Sequence, residues 1–442
     1  MVIPPLLIYS CAALCFFIHF ICLWSVYATI RRRGLPSPLQ YAYLSLALYY
    51  DLGLLVGAAG FETPPSPLSP LSAHANSTRL ILLIFIAVTP ICLFFGNMIT
   101  GRCIPKSEYR PLRLLPSRRL PFYCLTVLLC ASTAGYGWTT FREHSDIWLA
   151  RATVGTVLGT SIIMLYLPLH FLAFYVRLSD YKCVRGRLFA LVLVVACILS
   201  MISIGQRTLM LLPAVIVVLF GMRIKLSRLA VLTSLLIAGA AILLPMFKWQ
   251  YASTRNSSVD LITSTFTSDI VRAPALARVI EETSSPTSKV MPYPMAGYVY
   301  SSLFFIPRSI APYKGVSTAQ YFTAAVMGTS PENTQWGLGI GMLEETLLNG
   351  GFFISPLLII AYGSLFAYLA RLETQCRALF IPNRLAALFL FGTHLPALLL
   401  MFATMACVGL ILEHAFCHHS APGRRMLRSS PIAEPQRYLA AR

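Results

Sequence analysis

Two adjacent carboxylates, an asparagine and a set of glycines stand together between Gly337 and Gly351, in the order Gly337-Leu338-Gly339-Ile340-Gly341-Met342-Leu343-Glu344-Glu345-Thr346-Leu347-Leu348-Asn349-Gly350-Gly351. Glycines let a backbone approach a ligand or a helix start closely. On a helix, Glu345 and Asn349 are four residues apart and share one face. A carboxylate placed there, just ahead of an apolar run, can deprotonate or orient an attacking hydroxyl. Glu344 and Glu345 suit the first turn of a helix equally well, where acidic groups meet the positive end of the helix dipole.

Two cations sit between prolines in Ile306-Pro307-Arg308-Ser309-Ile310-Ala311-Pro312-Tyr313-Lys314-Gly315. Proline fixes φ and disfavours helix before it, so the spacing predicts a stiff, extended turn. Arginine grips phosphate oxygens bidentately and lysine adds a compact charge, which makes Arg308 and Lys314 candidates for an anionic ligand. Pairing with neighbouring carboxylates is the competing reading. Arg207 is the third cationic candidate, in the short link Ser203-Ile204-Gly205-Gln206-Arg207-Thr208 between two apolar runs. The run after it, Thr208 to Met222, rises only about 22 Å as a helix, less than a hydrocarbon core of roughly 30 Å. A sunken tip would hold Arg207 partly dehydrated, where a guanidinium needs an anion; a snorkelling arginine explains the position as well.

These groups need something to hold them. Of the 442 residues, 57% are hydrophobic and 12% are charged, about half the charged share of a soluble domain. Apolar runs near 5–29, 41–60, 80–100, 121–140, 152–176, 188–204, 208–222, 229–247, 350–370 and 385–412 account for the deficit. Several reach the roughly 20 residues a span requires. The expected fold is an all-α polytopic membrane protein with about ten to twelve transmembrane helices. Its parts are an N-terminal bundle over 1–247, an external cap over 248–349, C-terminal spans over 350–412 and a basic tail over 413–442. The first run lacks a preceding basic residue and a cleavage signal, so it is expected to stay as a span.

Charge orients the bundle. Nineteen basic residues fall in the linkers holding Arg31, Arg113, Arg185, Lys225 and Arg371, whereas four, Arg79, Arg142, Arg151 and Arg207, fall in the alternating ones. This alternation is the positive-inside pattern, and it puts the cap on the non-cytoplasmic side. The last run is 28 residues long and is interrupted by His394 and Pro396. One crossing would place the tail outside. Folding back at Thr393–Pro396 would place it inside, with two half-spans of roughly 15–20 Å. The sequence admits both routes.

Composition also excludes. The net charge of +19 lies in short linkers, so it does not mark a nucleic-acid surface. Within the cap, seven cations face seven carboxylates and cancel. Most cysteines lie inside apolar runs and act as small hydrophobes. There is no P-loop, dinucleotide fingerprint, HExxH or GxSxG motif. Asp51 lies mid-span as a weaker candidate, and Glu413, His414, Cys417, His418 and His419 lack the separated pairs of a structural zinc site.

The stretch from about Gly205 to Gly363 resembles the bacterial O-antigen and exopolysaccharide repeat-unit polymerases of the Wzy type. The likeness rests on Gly205 and Arg207, Arg255 after the next span, Asp269 and Arg272, Gly297 and Tyr298, Pro307, Arg308, Pro312 and Lys314, Gly328 to Ser330, and Glu345, Asn349 and Gly351. Two positions depart from the pattern: Gly315 where a proline commonly follows the lysine, and Gly350 where an aromatic is usual. The resemblance implies a GT-C-like helical fold in the bacterial inner membrane with its active face periplasmic. It implies glycosyl transfer without metal, cofactor or nucleotide sugar, from a glycan on a polyprenyl diphosphate to a lipid-linked repeat unit. Glu345, Arg308 and Arg207 are then the expected catalytic residues. Arg255, Arg272, Lys314, Asn349, Tyr298 and Glu344 are the expected substrate contacts. Membrane lipids, a chain-length regulator and a flippase are the expected partners. An O-antigen ligase would use the same donor. A transporter of lipid-linked or anionic solutes would carry repeated halves and broken helices, neither of which the sequence displays.

Overall fold

The computed structural model describes residues 4–32, 36–59, 68–101, 112–143, 167–178, 183–203, 271–285, 290–303, 306, 309–311, 313, 315–334 and 338–417. In chain order its α-helices are α1 (Pro5–Arg31), α2 (Pro38–Leu46), α3 (Leu52–Ala58), α4 (Asn76–Gly101), α5 (Arg119–Glu143), α6 (Leu167–Val176) and α7 (Val184–Ser203). Then follow α8 (Ala273–Ser284), α9 (Ala296–Leu303), α10 (Thr318–Met327), α11 (Met342–Gln375), α12 (Phe380–Phe389) and α13 (Leu395–Phe416). No strand occurs among the described residues, which pair as β-bridges only at Leu112 with Leu178 and Leu114 with Cys417.

Five of these stretches are long and apolar enough to cross a membrane: Pro5–Arg31, Pro38–Ala58, Asn76–Gly101, Met342–Glu373 and Leu395–Phe416. The expected runs at 208–222 and 229–247 lie outside the described residues. Helix α1 turns large apolar side chains outward, with Phe17 61% and Phe20 60% exposed. Water would oppose that surface, whereas lipid accepts it. The chain is an all-α protein of membrane type.

Helices α4 and α11 form the central crossing. A Cβ on Gly96 would collide with the carbonyl of Ile360, and one on Gly363 with that of Leu93. Small residues let the two backbones touch, as is common between helices in lipid. The Ser364 hydroxyl adds a hydrogen bond to the Gly96 carbonyl at 3.0 Å.

Two helical stretches depart from regular geometry. Between α2 and α3 the chain makes a π-helical turn at Ala47–Asp51. A wider turn of this kind frees a carbonyl from the helix ladder, and the Tyr49 carbonyl accepts the Arg272 amide at 2.9 Å. Helix α11 breaks at Gly351, whose φ of 62° is left-handed backbone that suits glycine. A straight α11 would hold Gly341 roughly 48 Å from Glu373. Yet the Met342 amide bonds the Leu390 carbonyl, and Arg384, close before Leu390 in the chain, is paired with Glu373 at 2.8 Å. The segment before Gly351 therefore folds back into the bundle.

The last run folds back as well. Helix α12 begins beside Ala378, which lies 3.7 Å from an ideal Cβ on Gly409 of α13. Helix α13 ends where Arg177 pairs with Glu413 at 3.1 Å and the Leu115 amide bonds the Phe416 carbonyl at 3.0 Å. Both open ends thus lie with the basic linkers, and the turn between them reaches Ser45 and Tyr49, about halfway along α2–α3. Of the two routes open from sequence, the hairpin is the one adopted. Its arms are unequal, about 15 Å and 33 Å.

Candidate functional site

The stretch expected to stand above the bundle sends two elements into its interior. Helix α8 has Ala273, Pro274, Ala275, Leu276, Ala277, Val279 and Ile280 buried. It runs from Arg272, beside Tyr49, to Glu281, which pairs with His74 at 2.7 Å. On its exposed side Arg278 pairs with Glu281 at 3.7 Å and with Glu282. The folded-back start of α11 is the second element, and the tip between α12 and α13 meets it.

Charged and polar side chains converge where these tips meet. Glu344 is fully buried, with its Oε2 accepting from the Tyr50 hydroxyl at 2.7 Å and from the Gly341 amide at 2.9 Å. It caps the first turn of α11, where a carboxylate meets the free amides and the helix dipole. Glu345 is 1% exposed; its Oε1 accepts from the Thr318 hydroxyl at 3.2 Å and its Oε2 from the Leu395 amide at 2.8 Å. It therefore serves the N-terminus of α13 in the same way.

Asn349 extends the network. Its Nδ2 donates to the Glu345 carbonyl at 2.8 Å and to Thr318 Oγ1 at 3.3 Å, and its Oδ1 accepts the Gly297 amide at 2.7 Å. The shared face predicted for Glu345 and Asn349 is present. Tyr298, next to Gly297, is half-buried.

Arg272 differs from its expected part. Its Nη1 donates to the Gly339 carbonyl at 2.7 Å and its Nη2 to the Gly392 carbonyl at 3.2 Å, with the residue 7% exposed. Both terminal nitrogens are thus committed to backbone, and the guanidinium ties the two re-entrant tips together rather than facing a diphosphate. Tyr49 Oη, Arg272 Nε and Glu344 Oε1 have no hydrogen-bond partner among the described residues.

Of the sequence-derived candidates, the fold brings together Arg272, Glu344, Glu345, Asn349 and Tyr298. Arg207, Arg255, Arg308 and Lys314 lie outside the described residues. Sequence reasoning missed Tyr50, Thr318 and the carbonyls of Gly339 and Gly392. Thr318 follows Ser317, whose capping box with Gln320 starts α10, and that pattern was readable. No signal marks Tyr50. No protein-family model matches the chain, and neither the curated proteins nor the solved structures yield a match.

Proposed function

We propose that this chain lengthens a glycan carried on a polyprenyl diphosphate by transferring it to a lipid-linked repeat unit. One observation supports this reading above the others. Gly297, some fifty residues before the Glu345–Asn349 face, is hydrogen-bonded to it, and Arg272 braces the Gly339 carbonyl just ahead of the same helix; all four carry part of the resemblance. In the reaction an acceptor hydroxyl forms a bond to the donor's anomeric carbon as the bond to the diphosphate oxygen breaks. The hydroxyl proton goes to a base, and the electron pair leaves with the diphosphate. Glu345 is the proposed base or orienting group, reached when its bond to Thr318 or Leu395 opens. Arg207, Arg255, Arg308 and Lys314 are the proposed cations for the leaving group, since charge developing there needs fixed positive partners. Arg272 holds the tips.

Purified protein given only the lipid-linked repeat unit tests this. A ladder of longer products is expected, and it should vanish in Arg308→Ala and Glu345→Ala. A folded protein that leaves the unit at one repeat sinks the proposal, and an O-antigen ligase would behave that way.

The broken helices favour a second reading. A helix broken at Gly351 with buried charge at its tip is similar to the discontinuous helices of secondary transporters. In sealed vesicles a transporter would move the lipid-linked unit across the bilayer without lengthening it.

A further inference from the structure

A different buried cluster sits on the other side of the π-helical turn. Cys15, His19 and Asp51 offer Sγ, a ring nitrogen and a carboxylate oxygen that all lie within 4.8 Å of one another. The residues are 0%, 3% and 7% exposed. Cys15 and His19 are four apart on α1 and share its inward face. Asp51 closes the turn Ala47–Asp51 and reaches them from the neighbouring helix.

We propose that these three residues bind one divalent d-block cation such as Zn²⁺ or Co²⁺. The decisive detail is the imidazole. His19 Nε2 lies 3.3 Å from the Ile86 carbonyl, and Nδ1 lies 2.6 Å from Asp51 Oδ1. A carbonyl only accepts, so a bond to Ile86 needs the hydrogen on Nε2, and a neutral ring of that tautomer presents the Nδ1 lone pair to the carboxylate. At the present 2.6 Å a proton lies between the two atoms, and a cation would take its place as they part to the roughly 3.3 Å that two bonds of about 2.0–2.1 Å to one tetrahedral ion set. A ring N–H donated to a backbone carbonyl is also the usual outer partner of a metal-bound histidine.

Charge balance permits the same assignment. Inside a bilayer an unbalanced charge is costly. With a proton on the ring, the His19–Asp51 pair is neutral beside a neutral thiol. A divalent cation would displace two protons, one from the ring and one from the Cys15 thiol, and the loaded site would again be neutral. Thiolate, imidazole and carboxylate together suit Zn²⁺ or Co²⁺ better than Mg²⁺ or Ca²⁺. Three protein ligands leave a fourth position to a non-protein ligand. The site is separate from Glu345 and does not rest on the glycan reading.

The test uses the full chain, purified in detergent, stripped with a chelator and titrated with Co²⁺ alone. One equivalent should bind, with visible d–d bands and a near-ultraviolet thiolate charge-transfer band. Cys15→Ser keeps the packing and should lose the charge-transfer band. It should also weaken binding by at least roughly 10-fold, the least that losing even an outer partner costs. Asp51→Asn should weaken binding while leaving the thiolate band. Affinity should fall as pH falls, because protons compete for the same atoms. A wild-type protein that melts cooperatively but takes up no Co²⁺ overturns the proposal. So does binding that Cys15→Ser leaves unchanged in strength and spectrum; a shared proton would then occupy the pair.

Discussion

The Tyr50 hydroxyl donates to Glu344 Oε2 at 2.7 Å across a separation of 294 residues. The bond joins the π-helical turn in the first third of the chain to the capped start of α11. Both groups are fully buried, so neither has water as a substitute partner. Tyr50→Phe should lower stability by about 1–3 kcal/mol, the cost of leaving a buried acceptor short of a donor. Glu344→Gln should also destabilise. The double variant should lose less than the sum of the two, measured by denaturant unfolding in detergent. Strictly additive losses would mean that the bond contributes nothing of its own.

Arg272 makes a second test of the same region. Lysine keeps the charge but cannot bridge the carbonyls of Gly339 and Gly392 with a planar fork. Arg272→Lys should cost about 2 kcal/mol, and Arg272→Ala on the order of 3–5 kcal/mol, because two buried carbonyls then lose charge-assisted donors worth about 1.5–3 kcal/mol each. Thermal melting of the purified variants measures both. A lysine variant as stable as the parent would mean that charge alone matters there.

How much of this was readable beforehand varies with the kind of interaction. Apolar runs at 5–29 and 80–100 match α1 and α4 closely, because burial in lipid is written in composition. The Glu345–Asn349 face follows from helical spacing alone. The breaks do not. Nothing local in Ala47-Leu48-Tyr49-Tyr50-Asp51 announces a π-helical turn, which is sustained by the distant Arg272 amide. Gly351 lies in a pair of glycines, and only the contact between Met342 and Leu390 says which way the chain turns. The fold-back of 385–412 was undecidable for a similar reason. A crossing and a hairpin have the same composition, and the deciding contacts lie near Leu115 and Arg177.

That hairpin predicts sidedness. A reporter fused after Arg442 should read the same compartment as one fused in the basic linker near Arg113, and the opposite one from the linker holding His74. A C-terminal reporter on the side of His74 would contradict the hairpin.

Gly351 should tolerate change poorly. Its φ of 62° with ψ of −171° is backbone that glycine alone adopts readily, and it costs an L-residue about 1–3 kcal/mol. Among the described residues no neighbouring atom lies within 4 Å of an added Cβ, so the penalty in Gly351→Ala is conformational rather than steric. The variant should unfold at correspondingly lower denaturant. An unchanged midpoint would show that the bend is held by its contacts and not by the glycine.

The buried pair at the basic end gives the last prediction. Arg384 Nη1 donates to Glu373 Oε2 at 2.8 Å and to the Phe380 carbonyl at 2.8 Å, with its guanidinium 3.6 Å from the Phe380 ring centre. Asn383 supplies a second donor, to Glu373 Oε1 at 2.7 Å. Desolvating two ions nearly cancels their attraction, so the pair contributes little net energy, but either partner left alone is expensive. Arg384→Met should therefore cost about 3–5 kcal/mol, and Glu373→Leu a similar amount. The double variant should recover much of that loss, because it buries no charge. Equilibrium unfolding of the four proteins decides it. A double variant that loses the full sum of the singles would show that the two groups do not act on each other, and would end the reading of the pair as a mutual neutralisation that fixes how the re-entrant hairpin leaves the central helix.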